Sequence, residues 1–150
     1  MANGEPWNDT LLMRIVPAFD GHINLPNGEK VFDVVTGSDW QTRGPSDVMG
    51  INARVSAVSE DGKENLDLEY YGKIKITQQI ENVIAARGET GAGTEWGGGY
   101  YFITPRIHSR SERWAWVNDA VFLACGKLTL SRKDDGSSVS TVSYRIYKVE

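Results

Sequence analysis

Apolar and polar positions alternate with a period of two over much of the chain, most clearly between Asn52 and Tyr71. A two-residue loop at Asp61-Gly62 sets Ala57 opposite Leu66, Val55 opposite Leu68 and Ala53 opposite Tyr70, making one face wholly apolar. The same register sets Ser56 opposite Asp67, Arg54 opposite Glu69 and Asn52 opposite Tyr71, so a cation meets a carboxylate across the strands. Both faces agree on one register, and a hairpin is expected in that form.

Two further turn dipeptides, Asn27-Gly28 and Asp135-Gly136, tolerate positive φ and propose two more hairpins. At the second, a three-residue loop aligns Leu130 with Val142 and Leu128 with Tyr144, whereas a two-residue loop breaks that apolar face. From Tyr71 to Tyr100 the pattern begins as an alternating strand and decays into a glycine-rich loop, and no helix is expected there. In WGGGYYFITPRIHSRSERWAWVNDAVFLACG (residues 96–126) a strand signal over Tyr100–Ile103 meets Pro105, which ends or edges the strand, and Arg106 follows. Between Arg113 and Leu123 the spacing of Trp114, Val117 and Val121 fits a short helical turn, and a strand reached through a turn fits equally. Dense β-branched and aromatic runs broken by Gly, Asp and Asn make this an all-β chain.

Its 150 residues suit one domain, with an N-terminal arm over 1–10 and the barrel or sandwich over 11–150. With 40% hydrophobic and 24% charged residues the chain has the composition of a soluble globular protein, and no window is long and apolar enough for a membrane helix. MANGEPWNDT lacks the basic start and apolar core of a secretory leader, so the cytoplasm is the default compartment. A net charge of −4 argues against nucleic acid as a partner, and the basic cluster Arg106–Arg113, interrupted by Glu112, fits a solvated loop. Cys125 is the single cysteine, which excludes an internal disulfide and a cysteine cage; its apolar flanks suggest a small buried side chain.

Familiar catalytic signatures are missing. His22 and His108 each lack a second imidazole nearby, so no metal is expected, and no GxSxG elbow points to a hydrolase. GETGAGTEWGGG runs into a strand and lacks the lysine and hydroxyl residue of a phosphate loop. The polar strip Arg54, Asp67, Glu69 and Tyr71 has two readings. Facing outward it is a solvated surface whose ion pair contributes a fraction of a kcal/mol. Facing a barrel interior it would hold partly desolvated charges able to polarise a carbonyl or phenol.

The segments VTGSDWQ, INARVSAVSEDG, GYYFITPRI and WAWVNDAVFLACG, ending in YRIYKV, resemble in order a family of small bacterial and fungal β-barrel proteins catalogued as a domain of unknown function, DUF3237. The resemblance runs from Leu11 to Val149, with Asn52 standing where an acidic residue is expected. It implies a single antiparallel β-barrel, calycin-like or similarly closed, compatible with a homodimer and without an obligatory cofactor.

Such an interior implies a small-molecule ligand. On the catalytic expectation the protein is a cofactor-independent, pericyclase-like cyclase or isomerase acting on an apolar phenolic or enolic intermediate, organised mainly by shape. Tyr71, Tyr101 and Arg54 would then hydrogen-bond a developing oxyanion and Asp39 or Glu69 would move a proton. Trp40 and Trp116 would form stacking walls, with Phe102, Arg106 and Asn118 completing the substrate contacts. The alternative is a non-catalytic binding protein with the same cavity. A third class, a structural interaction module, would fill that interior with side chains.

Overall fold

The computed structural model describes residues 12–14 and 21–149, so the expected arm over 1–10 lies outside the described residues. Eight strands form one antiparallel sheet: β1 (Leu12–Arg14), β2 (His22–Asn24), β3 (Lys30–Arg43), β4 (Val48–Val58), β5 (Asn65–Lys75), β6 (Phe102–His108), β7 (Phe122–Arg132) and β8 (Ser138–Lys148). Their path is β1-β3-β4-β5-β6-β7-β8, with β2 also paired to β3. The chain is all-β in class, but the closed barrel expected from its sequence is not formed: among the described residues β8 has no ladder to β1, β2 or β3. The sheet is an open half-barrel. Closure needs a continuous ladder around the ring, and among the described residues β1 offers an edge of three residues. No helix of the described residues is long and apolar enough to cross a membrane.

The central hairpin, β4–β5, has the expected register pair for pair, with Ala57 opposite Leu66 and Arg54 opposite Glu69. Its loop is longer than two residues, because the Ser59 amide donates to the Glu64 carbonyl at 3.0 Å and the turn lies beyond that bond. The extension is symmetric about Asp61-Gly62, which is why the register is unchanged. Ala53, Ala57, Leu66, Leu68, Tyr70 and Ile74 face the concave side and form much of the core, while Arg54 faces outward.

Strand β3 carries a bulge between Val34 and Thr36. Before it, Val34 stands opposite inward-facing Ala57; after it, Asp39 stands opposite inward-facing Ala53. The extra residue, Val35, therefore reverses the parity of the strand and turns Asp39 rather than Trp40 to the concave side.

At the last hairpin the observed pairs are Leu128 with Val142 and Leu130 with Ser140, two residues from the expected alignment. Gly136 takes φ +82°, the left-handed conformation that closes a three-residue loop, and the Lys133 amide donates to the Ser137 carbonyl at 2.9 Å. The loop is thus Asp134–Gly136. An even slip leaves every side chain on its expected face, but Val142 loses its leucine partner at position 130.

Two helices complete the fold among the described residues. Gln78–Ile84 forms α1, contrary to the expected strand-to-loop decay: the Thr77 hydroxyl accepts from the Ile80 amide at 3.3 Å, and Ile80 and Val83 are buried. The segment Glu112–Asp119 is a 3-10 helix that buries Trp114 and Val117, which decides between the two alternatives left open there. Trp114 packs edge-on against Phe32 with ring centroids 5.2 Å apart.

Pro105 does not end β6, which continues to His108; it edges the strand instead. The Gly126 amide donates to the Tyr101 carbonyl, so residues 101, 103 and 105 direct their backbone groups toward β7. Pro105 has no N–H to give on that side. The β6–β7 ladder accordingly stops at Phe102 with Cys125 and Ile103 with Ala124, and the strands part beyond it.

Gly126 lies under the Tyr101 ring, where an added Cβ would come within 2.6 Å of its carbons. Tyr101 is buried and bonded at its hydroxyl, so it has little room to yield. Gly126→Ala is expected to lower stability by about 1–3 kcal/mol, read as a reduced urea midpoint with unchanged slope. A midpoint equal to wild type would contradict this packing.

Candidate functional site

On the concave face, where β3 also directs Asp39, Gln41 and the ion-paired Arg43, tyrosines from three parts of the sheet meet. Tyr70 comes from β5, Tyr101 from the residue before β6 and Tyr144 from β8. The Tyr101 and Tyr144 hydroxyl oxygens are 2.6 Å apart. The Tyr70 ring meets Tyr144 edge-on at 5.2 Å. Burial raises the Tyr70 phenol to about 12, helped by the nearby Asp39 charge. Burial likewise pushes Tyr101 and Tyr144 well above the ordinary phenol value. All three are neutral at physiological pH and remain O–H donors. The Tyr101–Tyr144 bond uses one of the three phenol protons.

Beside them lies a cavity of about 70 Å³, lined by the three tyrosines, Asp39, Gln41, Ile51, Leu128 and Val142 among others. Asp39 accepts from the Gln41 side-chain amide at 2.6 Å. The space equals about two water molecules at the bulk share of roughly 30 Å³ each. It admits the polar end of a ligand rather than a whole one, but half-exposed Val142 leaves its β8 side open.

The opposite, convex face carries a second feature, an open groove of about 980 Å³ extending to the place where β6 and β7 part. Arg54, Glu69, Tyr71, Arg106 and Asn118 line it. Glu69 accepts from the Tyr71 hydroxyl at 2.5 Å and pairs with Arg54 at 3.1 Å. The Tyr71 bond, with Arg54 and Arg106 nearby, holds its carboxyl below the usual value. Arg54 is 64% exposed, so this pair is screened by water.

The ten residues singled out from the sequence therefore do not converge. Asp39 and Tyr101 face the concave side, whereas Arg54, Glu69, Tyr71 and Arg106 lie on the convex face. Trp40 stands outward with the Arg54 guanidinium 6.0 Å from its ring centre. Phe102 is exposed beside Tyr100, and Trp116 is exposed against Phe122, so these three aromatics wall no common cavity. Asn118 both accepts from the Ser109 amide and donates to its carbonyl, at 2.9 and 3.0 Å, and so clamps the loop after β6. Cys125 is half-buried opposite outward-facing Phe102 and Arg145, a correction to the buried position expected for it.

Tyr70 and Tyr144 were not among the ten. The available signal was a phenol on a strand face otherwise without polar side chains, because a hydroxyl buried there needs a partner. Tyr70 fell on that face in the expected hairpin; its partners come from more than 30 residues away, and no local pattern identifies them.

The folded tyrosines hold protons that an unfolded chain releases above pH 10, the ordinary phenol value. Their contribution to stability is whole below that pH and is lost as pH rises through the raised folded values. Between about pH 9 and 11 the urea midpoint of wild type is expected to fall more steeply than that of Tyr144→Phe. Equal slopes would contradict the burial of these phenols.

Known structures share the fold. A protein with unknown function from Clostridium acetobutylicum superposes with TM-score 0.57 at 20% identity, covering 84% of this chain and 74% of that one. A conserved protein of unknown function from Rhodopseudomonas palustris gives TM-score 0.53 at 15% identity, covering 77% and 70%. No curated protein matches the chain. The family model described as "Protein of unknown function (DUF3237)" matches residues 3–149, and the chain belongs to that family.

Proposed function

We propose that the concave face binds a small apolar molecule through a carbonyl, enol or phenol oxygen, and that the tyrosine cluster is the group that recognises it. The observation that carries this reading is the buried Tyr101–Tyr144 hydroxyl pair, with Tyr70 adjoining it at the rim of a cavity that also holds Asp39. A neutral O–H donor in a largely buried setting favours an acceptor oxygen, and favours it more as negative charge develops there. Asp39 supplies a proton acceptor on the same face. Together they suit cofactor-independent isomerisation: the carboxylate takes a proton α to a carbonyl, a phenol donates to the resulting enolate oxygen, and the proton returns at another carbon. Cyclisation of an enolic substrate would use the same donors. A non-catalytic binding protein would use the cluster without proton transfer.

A second reading is favoured by the convex groove, because five of the residues singled out from sequence line it. The two faces are separable by substitution. With acetophenone as probe, calorimetry is expected to show Tyr101→Phe and Tyr144→Phe weakening binding about three- to tenfold, the worth of one hydrogen bond. Arg54→Ala and Tyr71→Phe should leave it unchanged. The reverse pattern would move the site to the convex groove.

Turnover is tested with 3-cyclohexenone, whose conversion to the conjugated isomer is followed by absorbance. Asp39→Asn is expected to abolish conversion while retaining acetophenone binding. No conversion by wild type would leave a binding protein.

A further inference from the structure

Strand β8 is an eleven-residue edge, and among the described residues it pairs with no strand beyond β7. Open edges are ordinarily guarded by proline, a bulge or a charge placed over the free backbone. β8 has no proline, and its register to β7 runs from Ser138 to Lys148 without a shift. Of its two charges, Arg145 is drawn back over the Trp96 ring at 4.4 Å, leaving Lys148 at the very end. Val142 and Ile146 on the concave face and Tyr147 on the convex face are exposed.

The backbone direction can be derived. Both the amide and the carbonyl of Gly126 bond away from β8, to the Tyr101 carbonyl and from the Gly97 amide. Tyr144, opposite Gly126, therefore directs its own N–H and C=O away from β7, and Ser140, Val142, Ile146 and Lys148 do the same by alternation. This row of donors and acceptors is matched by the same row on another copy running antiparallel.

We propose that β8 pairs with β8 of a second copy of this chain, about a twofold axis at Tyr144. In that register Val142 faces the partner's Ile146 and Thr141 faces the partner's Tyr147. Arg145 faces the partner's Ser143 and Lys148 faces the partner's Ser140, so no like charges are opposed. Moving the axis to Arg145 would stack that cation on its own copy; moving it to Ser143 would set Ile146 against the partner's Ser140. Concave face meets concave face, and the interface is isologous. Because Val142 also lines the tyrosine cavity, the partner's Ile146 would cover the cavity's open side.

The assembly is tested by light scattering after gel filtration at micromolar concentration, independently of any ligand. Wild type is expected at twice the 16.6 kDa chain mass, and Val142→Lys, an exposed substitution, at one chain mass with unchanged circular dichroism. In a Cys125→Ser background, Thr141→Cys combined with Tyr147→Cys should form intermolecular disulfides on oxidation, and neither single change should. Two positions six residues apart on one strand stand about 20 Å apart and cannot bridge within a chain. A monomeric wild type would overturn the proposal, as would a dimer that Val142→Lys leaves intact and the cysteine pair does not trap.

Discussion

A pleated strand gives each side chain one of two faces, and the distribution of chemistry over this sheet depends on that parity. Along β4 and β5 the alternation is uninterrupted, so alanine and leucine fill the concavity while Arg54 and Glu69 meet outside. On β3 a single bulged residue, Val35, reverses the order. Without it Trp40 would turn inward and Asp39 would stand among the convex charges. With it, a carboxylate reaches the apolar side of the sheet, next to three phenols.

That carboxylate and those phenols are costly on an apolar face. A buried hydroxyl without a partner costs about 1–3 kcal/mol, and an ordinary core would use phenylalanine at such positions. Here the Tyr101 and Tyr144 hydroxyls offset that cost by bonding one another, with the Tyr70 ring packed edge-on against Tyr144. The arrangement also depends on Gly126, which leaves room for the Tyr101 ring, and on β8, which carries Tyr144. Pro105 acts nearby in the opposite sense: by withholding an N–H on the β7 side it stops a ladder and opens the convex groove.

The legible parts of the fold were those set by local alternation. The β4–β5 register could be derived because both faces constrain it, one by apolar pairing and the other by Arg54 and Glu69. The β7–β8 register slipped by two, since Leu and Val on one face tolerate an even shift and only the left-handed Gly136 fixes the loop. Helix α1 was missed although Ile76, Ile80, Val83 and Ile84 have helical spacing, because the alternation of β5 runs directly into it. Of the candidate site, Asp39 and Tyr101 were identified and then grouped with residues from the other face. The bulge at Val35 has no glycine or proline to announce it, and without it the faces cannot be sorted. Tyr144 could be found only once β8 was placed beside β7 and β6 in space.

The central claim is that recognition occurs at the concave phenols, and the tyrosines themselves are the most direct reporters. The chain has six: Tyr70, Tyr101 and Tyr144 converge on the concave face, whereas Tyr71, Tyr100 and Tyr147 are exposed. With the phenol carbon of every tyrosine labelled, nuclear magnetic resonance during titration with acetophenone resolves the two sets in one experiment. The predicted result is a saturable shift of the Tyr70, Tyr101 and Tyr144 signals, with the exposed three unmoved. Saturable shifts confined to Tyr71 and its exposed neighbours would contradict the account.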